Sequence, residues 1–229
     1  MATIAGPILT EADHALVAAA VGRAEATGDG EIVAVVSRRS DTYRDVVLAW
    51  SALIAALALL ALNIAPHFYL GLVDRVLGIW GHDWTPREIF GLALLVASVK
   101  FAGMALLLQW RPLRGVLTPR AVVAARVRAR AAAAFRLAAQ GRTRGSTGIL
   151  IYLSIEERRA EILADTAIAA KVAPAVWGDA MHAMLAEIRA GHIAGGMAAA
   201  IDQVGKVLAE HLPRTDKPSN ELPDGPIEL

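Results

Sequence analysis

Acidic and arginine side chains next to apolar segments are the first candidates for chemistry in this sequence. Asp165 follows the apolar segment 160–164, and Arg142 and Arg144 precede the segment 147–154. If these two segments form a strand hairpin, the carboxylate and the arginines meet at one end of a sheet. Such a corner is either a catalytic or anion-binding site, phosphate included, or a structural ion pair. We favour the structural ion pair.

A second group of polar residues is expected at the opposite corner of the same sheet. Its members are hydroxyl and carboxylate residues near the ends of apolar segments: Ser37, Ser40, Asp41, Ser154, Glu156 and Glu157. Of these, Asp41, Glu156 and Glu157 are the candidate ligands for calcium or magnesium, or the acid and base of a hydrolase. A turn solvated by its charged residues explains them more simply, so we expect no cofactor.

Several classes of function have no support in the sequence. The 229 residues contain no nucleotide-binding, zinc-protease or serine-hydrolase motif. The six histidines show no metal-ligand spacing, and the absence of cysteine excludes disulfides and cysteine nucleophiles. Because 23 Lys and Arg residues are balanced by 22 Asp and Glu residues, we expect no nucleic-acid partner. Enzymatic activity is not the favoured interpretation.

Two long apolar segments dominate the composition, which is 55% hydrophobic, whereas soluble domains average about 45–50%. Residues 46–64 contain no charge, and as a helix they would reach about 28 Å, close to the ~30 Å hydrocarbon core of a membrane. Residues 89–110 form the second segment, with Lys100 as their one charge. The pattern predicts a hairpin of two transmembrane helices.

Lys100 and several small residues bear on how these predicted spans associate. A lone lysine inside a span costs about 2.5–3.5 kcal/mol on insertion scales. Snorkelling to the membrane surface, a shifted span, and pairing within an oligomer or partner complex all account for it. Small residues at four-residue spacing, such as Ala93 and Ala97, permit close helix packing. We therefore expect protein partners or self-association through these helices, in addition to the lipid bilayer.

The arginines near the spans predict the orientation. Arg38, Arg39 and Arg44 lie just before the first span, six arginines between residues 111 and 130 lie just after the second, and two lie between the spans. Because cytoplasmic flanks carry the excess of Lys and Arg, both termini should be cytoplasmic in a bacterial inner membrane. We attribute the six arginines to topology and anionic lipid rather than to RNA. The outer segment 65–88 then reads as a short amphipathic helix at the headgroup level.

The sequences flanking the hairpin predict one α/β domain. Thr10 and Asp13 have the spacing of a helix capping box, and residues 31–37 read as a buried strand. The remaining predicted elements are a long helix from Thr118-Pro119 to Gly141, strands at 147–154 and 160–164, and helices at 175–190 and 193–212. The proline-rich residues 214–229 predict a mobile tail.

These elements predict a three-layer α/β sandwich. Strands that are buried on both faces need helices on both sides, and a strand, helix and strand in succession form a βαβ unit. Residues 1–42 and 118–213 would form this sandwich, which the transmembrane hairpin 43–117 would split. The hairpin enters just past the carboxyl end of the first strand, where open α/β folds usually place their ligands.

Several stretches of the two flanks resemble the TPM-domain family. They are Glu25-Ala26-Thr27, Gly30 to Val33, Thr147 to Ser154, Glu157-Arg158, Glu161 to Asp165, Ile168, Trp177, Gly191, Gly195 and Leu208 to Pro213. Asn220 to Pro223 is similar to the tail of a bacterial membrane-protein branch of that family. The resemblance covers about 10–40 and 118–213, and it implies an α/β sandwich.

The resemblance implies more than one activity. Some TPM-domain relatives are credited with weak acid-phosphatase activity or with photosystem assembly and repair; others bind calcium or help to assemble receptors. This chain departs from the usual layout because its hairpin lies inside the domain, and it has no Asp-rich segment near its N-terminus. We therefore predict a membrane-tethered interaction or assembly module. The alternative is a weak phosphatase or metal-dependent hydrolase.

Overall fold

Residues 7–79, 82–138, 147–172, 174–213, 222 and 225–229 are described by a computed structural model. The chain divides into two compact units, one of Met1–Asp41 with Ala121–Leu229 and one of Thr42–Arg120. In chain order the described elements are α1 (Glu11–Glu25), β1 (Glu31–Ser37), α2 (Arg44–Ile64), α3 (Pro66–Leu77), α4 (Pro86–Leu107), α5 (Arg111–Leu117), α6 (Arg120–Ala138), β2 (Gly148–Ser154), β3 (Arg159–Ala164), α7 (Thr166–Ala169), a 3-10 helix (Pro174–Val176), α8 (Trp177–Arg189), α9 (Ile193–His211) and β4 (Ile227–Glu228).

The strands of the first unit form one mixed sheet with the order β3-β2-β1-β4. β1 is parallel to β2 and to β4, whereas β2 and β3 form an antiparallel hairpin. Ser37 lies opposite Ser154, so the carboxyl ends of β1 and β2 coincide. The predicted strand hairpin between 147–154 and 160–164 is therefore present.

Helices cover both faces of this sheet. Alternate residues along β1 and β2 point to opposite sides because the side-chain period of a strand is two. Val33, Val35, Leu150 and Tyr152 pack with Val127, Ala131 and Phe135 of α6. Ile32, Val36 and Ile151 pack on the other side with α1, α8 and α9. The predicted three-layer α/β sandwich is confirmed.

Two predicted helix starts have different outcomes. Thr10 caps α1 as expected, since its hydroxyl accepts the Asp13 N–H at 3.2 Å and the Asp13 carboxylate accepts the Thr10 N–H at 2.9 Å. Thr118, however, is the C-cap of α5, and its hydroxyl donates to the carbonyl of Arg114 at 2.7 Å. α6 therefore begins later, at Arg120.

Residues 214–229 are predicted to form a mobile tail, but those that the structure describes, Leu222 and 225–229, include residues packed on the domain. Leu222 is buried in the same apolar cluster as β1 and α6, and Ile227 packs against that cluster. Ile227 and Glu228 pair with Val35 and Val36 of β1. Two apolar anchors and a strand edge with free backbone groups outweigh the disordering effect of the prolines.

The second unit contains the two long apolar helices. α2 and α4 pack against each other, and both are long and apolar enough to cross a membrane. α4 begins at Pro86, three residues before the predicted span, because Thr85 and Glu88 form a capping box. It ends at Leu107, and Arg111 and Pro112 begin the separate helix α5. Lys100 lies on α4 and is exposed.

The segment between these helices contains α3. Its side chains Phe68, Leu72 and Val76 are exposed at four-residue spacing and so share one side of the helix. Asp74 lies on another side, where it accepts a hydrogen bond from the Trp84 indole at 3.0 Å. α3 therefore presents an apolar stripe to its surroundings.

Candidate functional site

The candidate site lies where β1 and β2 end, and backbone pairing fixes its position. The chain beyond β2 continues the parallel ladder, because Ile155 donates its N–H to the Ser37 carbonyl and Glu156 donates to the Arg38 carbonyl, both at 3.0 Å. Arg158 completes the turn into β3 with a φ of 51°. This left-handed residue lets a tight turn bring the Glu157 side chain back toward β1.

A chain of hydroxyl groups leads from the sheet to Glu157. Ser40 Oγ donates to Ser154 Oγ at 2.9 Å, and Ser154 Oγ donates in turn to Glu157 Oε2. The Tyr152 hydroxyl lies 3.0 Å from Ser40 Oγ. Because the single Ser40 proton points at Ser154, the tyrosine is the donor in that contact. Glu157 Oε1 also accepts the Ser40 N–H at 3.0 Å.

Two of these three hydroxyl residues are fully buried, and the hydroxyl groups are hydrogen-bonded to one another. Tyr152 and Ser154 have no exposed surface, and Ser40 is half-buried. A nucleophile must reach the reacting atom of a substrate, which a fully buried Ser154 cannot do in this conformation. The arrangement fixes the turn and the start of the chain beyond β1.

The six polar residues predicted for this corner do not act as one group. The structure brings Ser40, Ser154 and Glu157 into contact. Ser37 instead donates to the Arg39 and Leu229 carbonyls at 2.9 and 3.2 Å.

The two other acids predicted at this corner lie outside that hydroxyl chain. Asp41 pairs with Arg126 of α6, with 3.2 Å between Oδ2 and Nε. Glu156 is exposed on the turn. Within the described ranges, no group of three or more His, Asp or Glu side chains has metal-binding geometry. The predicted metal candidates Asp41, Glu156 and Glu157 are therefore not gathered into one ligand set.

The opposite corner contains Asp165, the N-cap of α7. Its Oδ1 accepts the Thr166 N–H at 2.8 Å, and its own N–H donates to the Gly148 carbonyl at 2.8 Å. Asp165 is buried, and its Oδ2 has no hydrogen-bond partner among the described residues. The predicted partners Arg142 and Arg144 lie outside the described residues.

The sequence interpretation missed two participants in the first corner. Tyr152 was counted only as part of an apolar strand, although a buried tyrosine hydroxyl usually finds a hydrogen-bond partner. Arg126 was assigned to lipid and topology, whereas it pairs with Asp41. The tyrosine could have been found from its place between Ile151 and Leu153 in a strand that is otherwise apolar.

Comparisons with known proteins agree with this architecture. Residues 115–207 match the family model described as the TPM domain. The NMR structure of the BA42 protein from the psychrophilic bacterium Bizionia argentinensis is similar, with a TM-score of 0.56 and 16% identity over 100% of both chains. At that identity the likeness shows the fold alone. No curated protein matches this chain. The family match shows a TPM domain over residues 115–207, and the α/β sandwich agrees with it.

Proposed function

We propose that this protein is an interaction or assembly module tethered to a membrane. In this proposal α2 and α4 cross the bacterial inner membrane and hold the TPM domain at its cytoplasmic surface. The partners are the lipid bilayer and other proteins, or further copies that associate through the two helices. The observation that carries the proposal is the outward-facing apolar surface of α2 and α4.

The burial of these helices supports a lipid environment. Leu60 of α2 is 53% exposed, and Phe90 and Leu94 of α4 are 74% and 69% exposed. In the most apolar stretch of α4 no residue is buried, and in that of α2 only 6% are. The core helix of a soluble protein would bury such side chains, since each costs about 1.5–3 kcal/mol to leave in water. Lipid removes that cost.

The distribution of arginines supports the proposed orientation. Arg38, Arg39 and Arg44 lie before α2, and Arg111 and Arg114 begin a longer series after α4. Only Arg75 and Arg87 lie between the two helices. Cytoplasmic flanks carry the excess of basic residues, and each one near an anionic surface adds about 1 kcal/mol of attraction.

The polar corner supports binding or assembly rather than catalysis. Its hydroxyl groups donate to one another and finally to Glu157, and Ser154 is fully buried. Such a saturated network stabilises a turn, and it leaves no hydroxyl free to attack a substrate. The surface of the TPM domain is therefore the better candidate for contacts with partners.

The second candidate function is a weak phosphatase or a metal-dependent hydrolase. The contact between Ser154 and Glu157 is the observation that favours it, because a nucleophilic serine needs a base within hydrogen-bond reach. The matched family model is also named for a phosphatase. Calcium or magnesium would be the metal, with Asp41, Glu156 and Glu157 as ligands after a rearrangement of the turn.

Two reporter fusions test the membrane location. A fluorescent protein that folds only in the cytoplasm, fused after Leu229, should fluoresce. An enzyme active only after export should be active when it is inserted after Asp83, which is exposed between α3 and α4. The opposite pattern would place the TPM domain outside the cytoplasm and contradict the proposed orientation.

A hydrolysis assay separates the two candidate functions. We expect the purified full-length chain to hydrolyse a generic phosphomonoester no faster than buffer, with or without calcium or magnesium. Activity that survives repurification and is lost in Glu157→Gln would favour the hydrolase. Activity that persists in Glu157→Gln would point to a contaminant or to another site, so the Asp165→Asn variant completes the comparison.

A further inference from the structure

Residues 227–229 lie in a groove of the TPM domain between the edge of β1 and the start of α1, and the polar side-chain contacts converge on Glu228. Its Oε2 accepts the Ile8 N–H at 2.7 Å, and its Oε1 accepts the Leu9 N–H at 3.1 Å. The ring Nε2 of His14, on the first turn of α1, lies 2.9 Å from the same Oε1. Two backbone donors and one imidazole thus surround one carboxylate.

The backbone of this segment pairs with the edge of β1. Ile227 and Glu228 continue the sheet beside Val35 and Val36. The Leu229 N–H donates to the Val36 carbonyl at 2.9 Å, and the Leu229 carbonyl accepts the Arg38 N–H at 3.1 Å. These are the contacts by which an added strand binds to an open sheet edge.

An apolar anchor completes the set of contacts. Leu222 is 4% exposed and lies in the cluster that contains Val33, Leu150 and Phe135. Its N–H donates to Glu31 Oε2 at 3.2 Å. The segment is therefore held by one buried leucine, a short strand ladder and one carboxylate, all within eight residues.

We propose that this groove is a peptide-binding site, filled in cis by residues 222–229 and able to bind the same segment of a second copy of the chain. Every contact described above joins this segment to the rest of the TPM domain. An identical segment from another copy can therefore make all of the same contacts. The convergent donors select a strand with a carboxylate at the position of Glu228. Exchange of this segment links two TPM domains without any new interface.

An empty groove is unfavourable, so a groove whose own segment has left binds the segment of another copy. Without the segment, the edge of β1 exposes backbone N–H and C=O groups beside apolar side chains, which is a template for pairing with another strand. This inference goes beyond the proposed membrane function. All residues of the groove lie in the TPM-domain unit, so its test is independent of the membrane.

The test uses the chain truncated after Glu221, in lipid nanodiscs, and a fluorescent synthetic peptide of residues 222–229. We expect saturable binding by fluorescence anisotropy. Binding to the full-length chain should be at least about tenfold weaker, because its groove is already filled. The Glu228→Gln peptide should bind about tenfold more weakly, which corresponds to 1.4 kcal/mol. A scrambled peptide of the same composition is the control and should not bind.

Two further measurements use the full-length chain, so they remain valid if the truncated chain fails to fold. They also test binding between two copies. The full-length Glu228→Gln chain, whose own segment is held less tightly, should bind the wild-type peptide more tightly than the wild-type chain does. A tagged Glu228→Gln chain should also capture an untagged wild-type copy, and excess free peptide should abolish the capture. Equal peptide binding to all chains, or capture of the wild-type copy that persists in excess free peptide, would overturn the inference.

Discussion

Gly205 of α9 and Ala24 of α1 approach so closely that a Cβ atom at position 205 would lie 2.7 Å from the Cβ of Ala24 and 3.0 Å from its Cα. Both helices lie on the same face of the sheet. The absence of a side chain at position 205 therefore sets the distance between α1 and α9, and the contact includes main-chain atoms that cannot rotate away.

Gly205→Ala should lower the free energy of unfolding by about 1–3 kcal/mol, because the added methyl group overpacks the helix contact. Gly22→Ala is the matched control, since Gly22 lies in α1 with no atom near its Cβ position. It should raise stability by up to about 1 kcal/mol through helix propensity. Thermal unfolding of both variants by near-ultraviolet circular dichroism measures the two effects. Equal melting temperatures would show that α1 and α9 are not held at this distance.

Tyr152→Phe should destabilise the TPM domain by about 1 kcal/mol, because it removes the donor to Ser40 and leaves the half-buried Ser40 hydroxyl with one partner fewer. Tyr69→Phe is the control on α3, where no hydrogen bond of the Tyr69 hydroxyl is described, and it should have no measurable effect. Chemical denaturation of the full-length chain in detergent reports both values. A neutral Tyr152→Phe variant would mean that the hydroxyl chain does not stabilise the fold.

The pH dependence of stability should include a contribution from Glu228. Burial raises the pKa of this carboxyl, but the hydrogen bonds from Ile8, His14 and Leu9 outweigh burial and hold the pKa below its ordinary 4.5. A carboxyl whose pKa is lowered by folding stabilises the fold at pH values above its pKa in the unfolded chain. This stability is lost as the pH falls through its pKa in the folded chain. The melting temperatures of wild type and Glu228→Gln should therefore differ most above about pH 5.

That difference should shrink as the pH falls below 4.5 and through the lowered pKa of the folded chain, because the wild-type carboxyl then becomes neutral as the amide already is. Glu210→Gln is the control, since Glu210 is exposed on α9. Its melting temperature should follow that of the wild type at every pH. A constant difference between wild type and Glu228→Gln down to about pH 3 would show that the charge of Glu228 does not contribute.

Asp165→Ala should lower stability by about 3–5 kcal/mol, as expected when one member of a buried ion pair is removed. Loss of the N-cap alone would cost about 0.5–2 kcal/mol. Asp165→Asn keeps an oxygen that can accept the Thr166 N–H but removes the negative charge. It therefore separates the stability contributed by the helix cap from that contributed by the charge. Either Arg142→Ala or Arg144→Ala should reproduce most of the loss. If both arginine variants are neutral and Asp165→Ala costs about 1 kcal/mol, the corner is a helix cap and not an ion pair.

Much of the fold could be predicted because local signals and packing agree. The capping box at Thr10 and Asp13 and the apolar run 31–37 each specify one element, and the structure contains both. The strand β4 could not be predicted in the same way. Two residues, Ile227 and Glu228, carry no periodic pattern, and their pairing depends on the edge of β1, which is distant in sequence.

In the candidate site, too, some features follow from the sequence pattern and others depend on contacts between distant residues. The chain order placed Ser40, Ser154 and Glu157 at one end of the sheet because parallel strands align their carboxyl ends. Which side chains touch depends on the turn at Arg158 and on the position of α6, and neither can be derived from spacing. The sequence alone therefore assigns Arg126 to lipid and topology, whereas in the structure it pairs with Asp41.

Cysteine accessibility in intact cells tests the membrane tether most directly, because the chain contains no cysteine of its own. Single cysteines replace Asp83 between α3 and α4, Leu57 in α2 and Glu156 in the TPM domain, and a membrane-impermeant maleimide is added. Asp83→Cys should react in intact cells, Glu156→Cys only after lysis, and Leu57→Cys only after denaturation. Reaction of Leu57→Cys in native lysate, or of Glu156→Cys in intact cells, would contradict a cytoplasmic TPM domain held by two membrane-spanning helices.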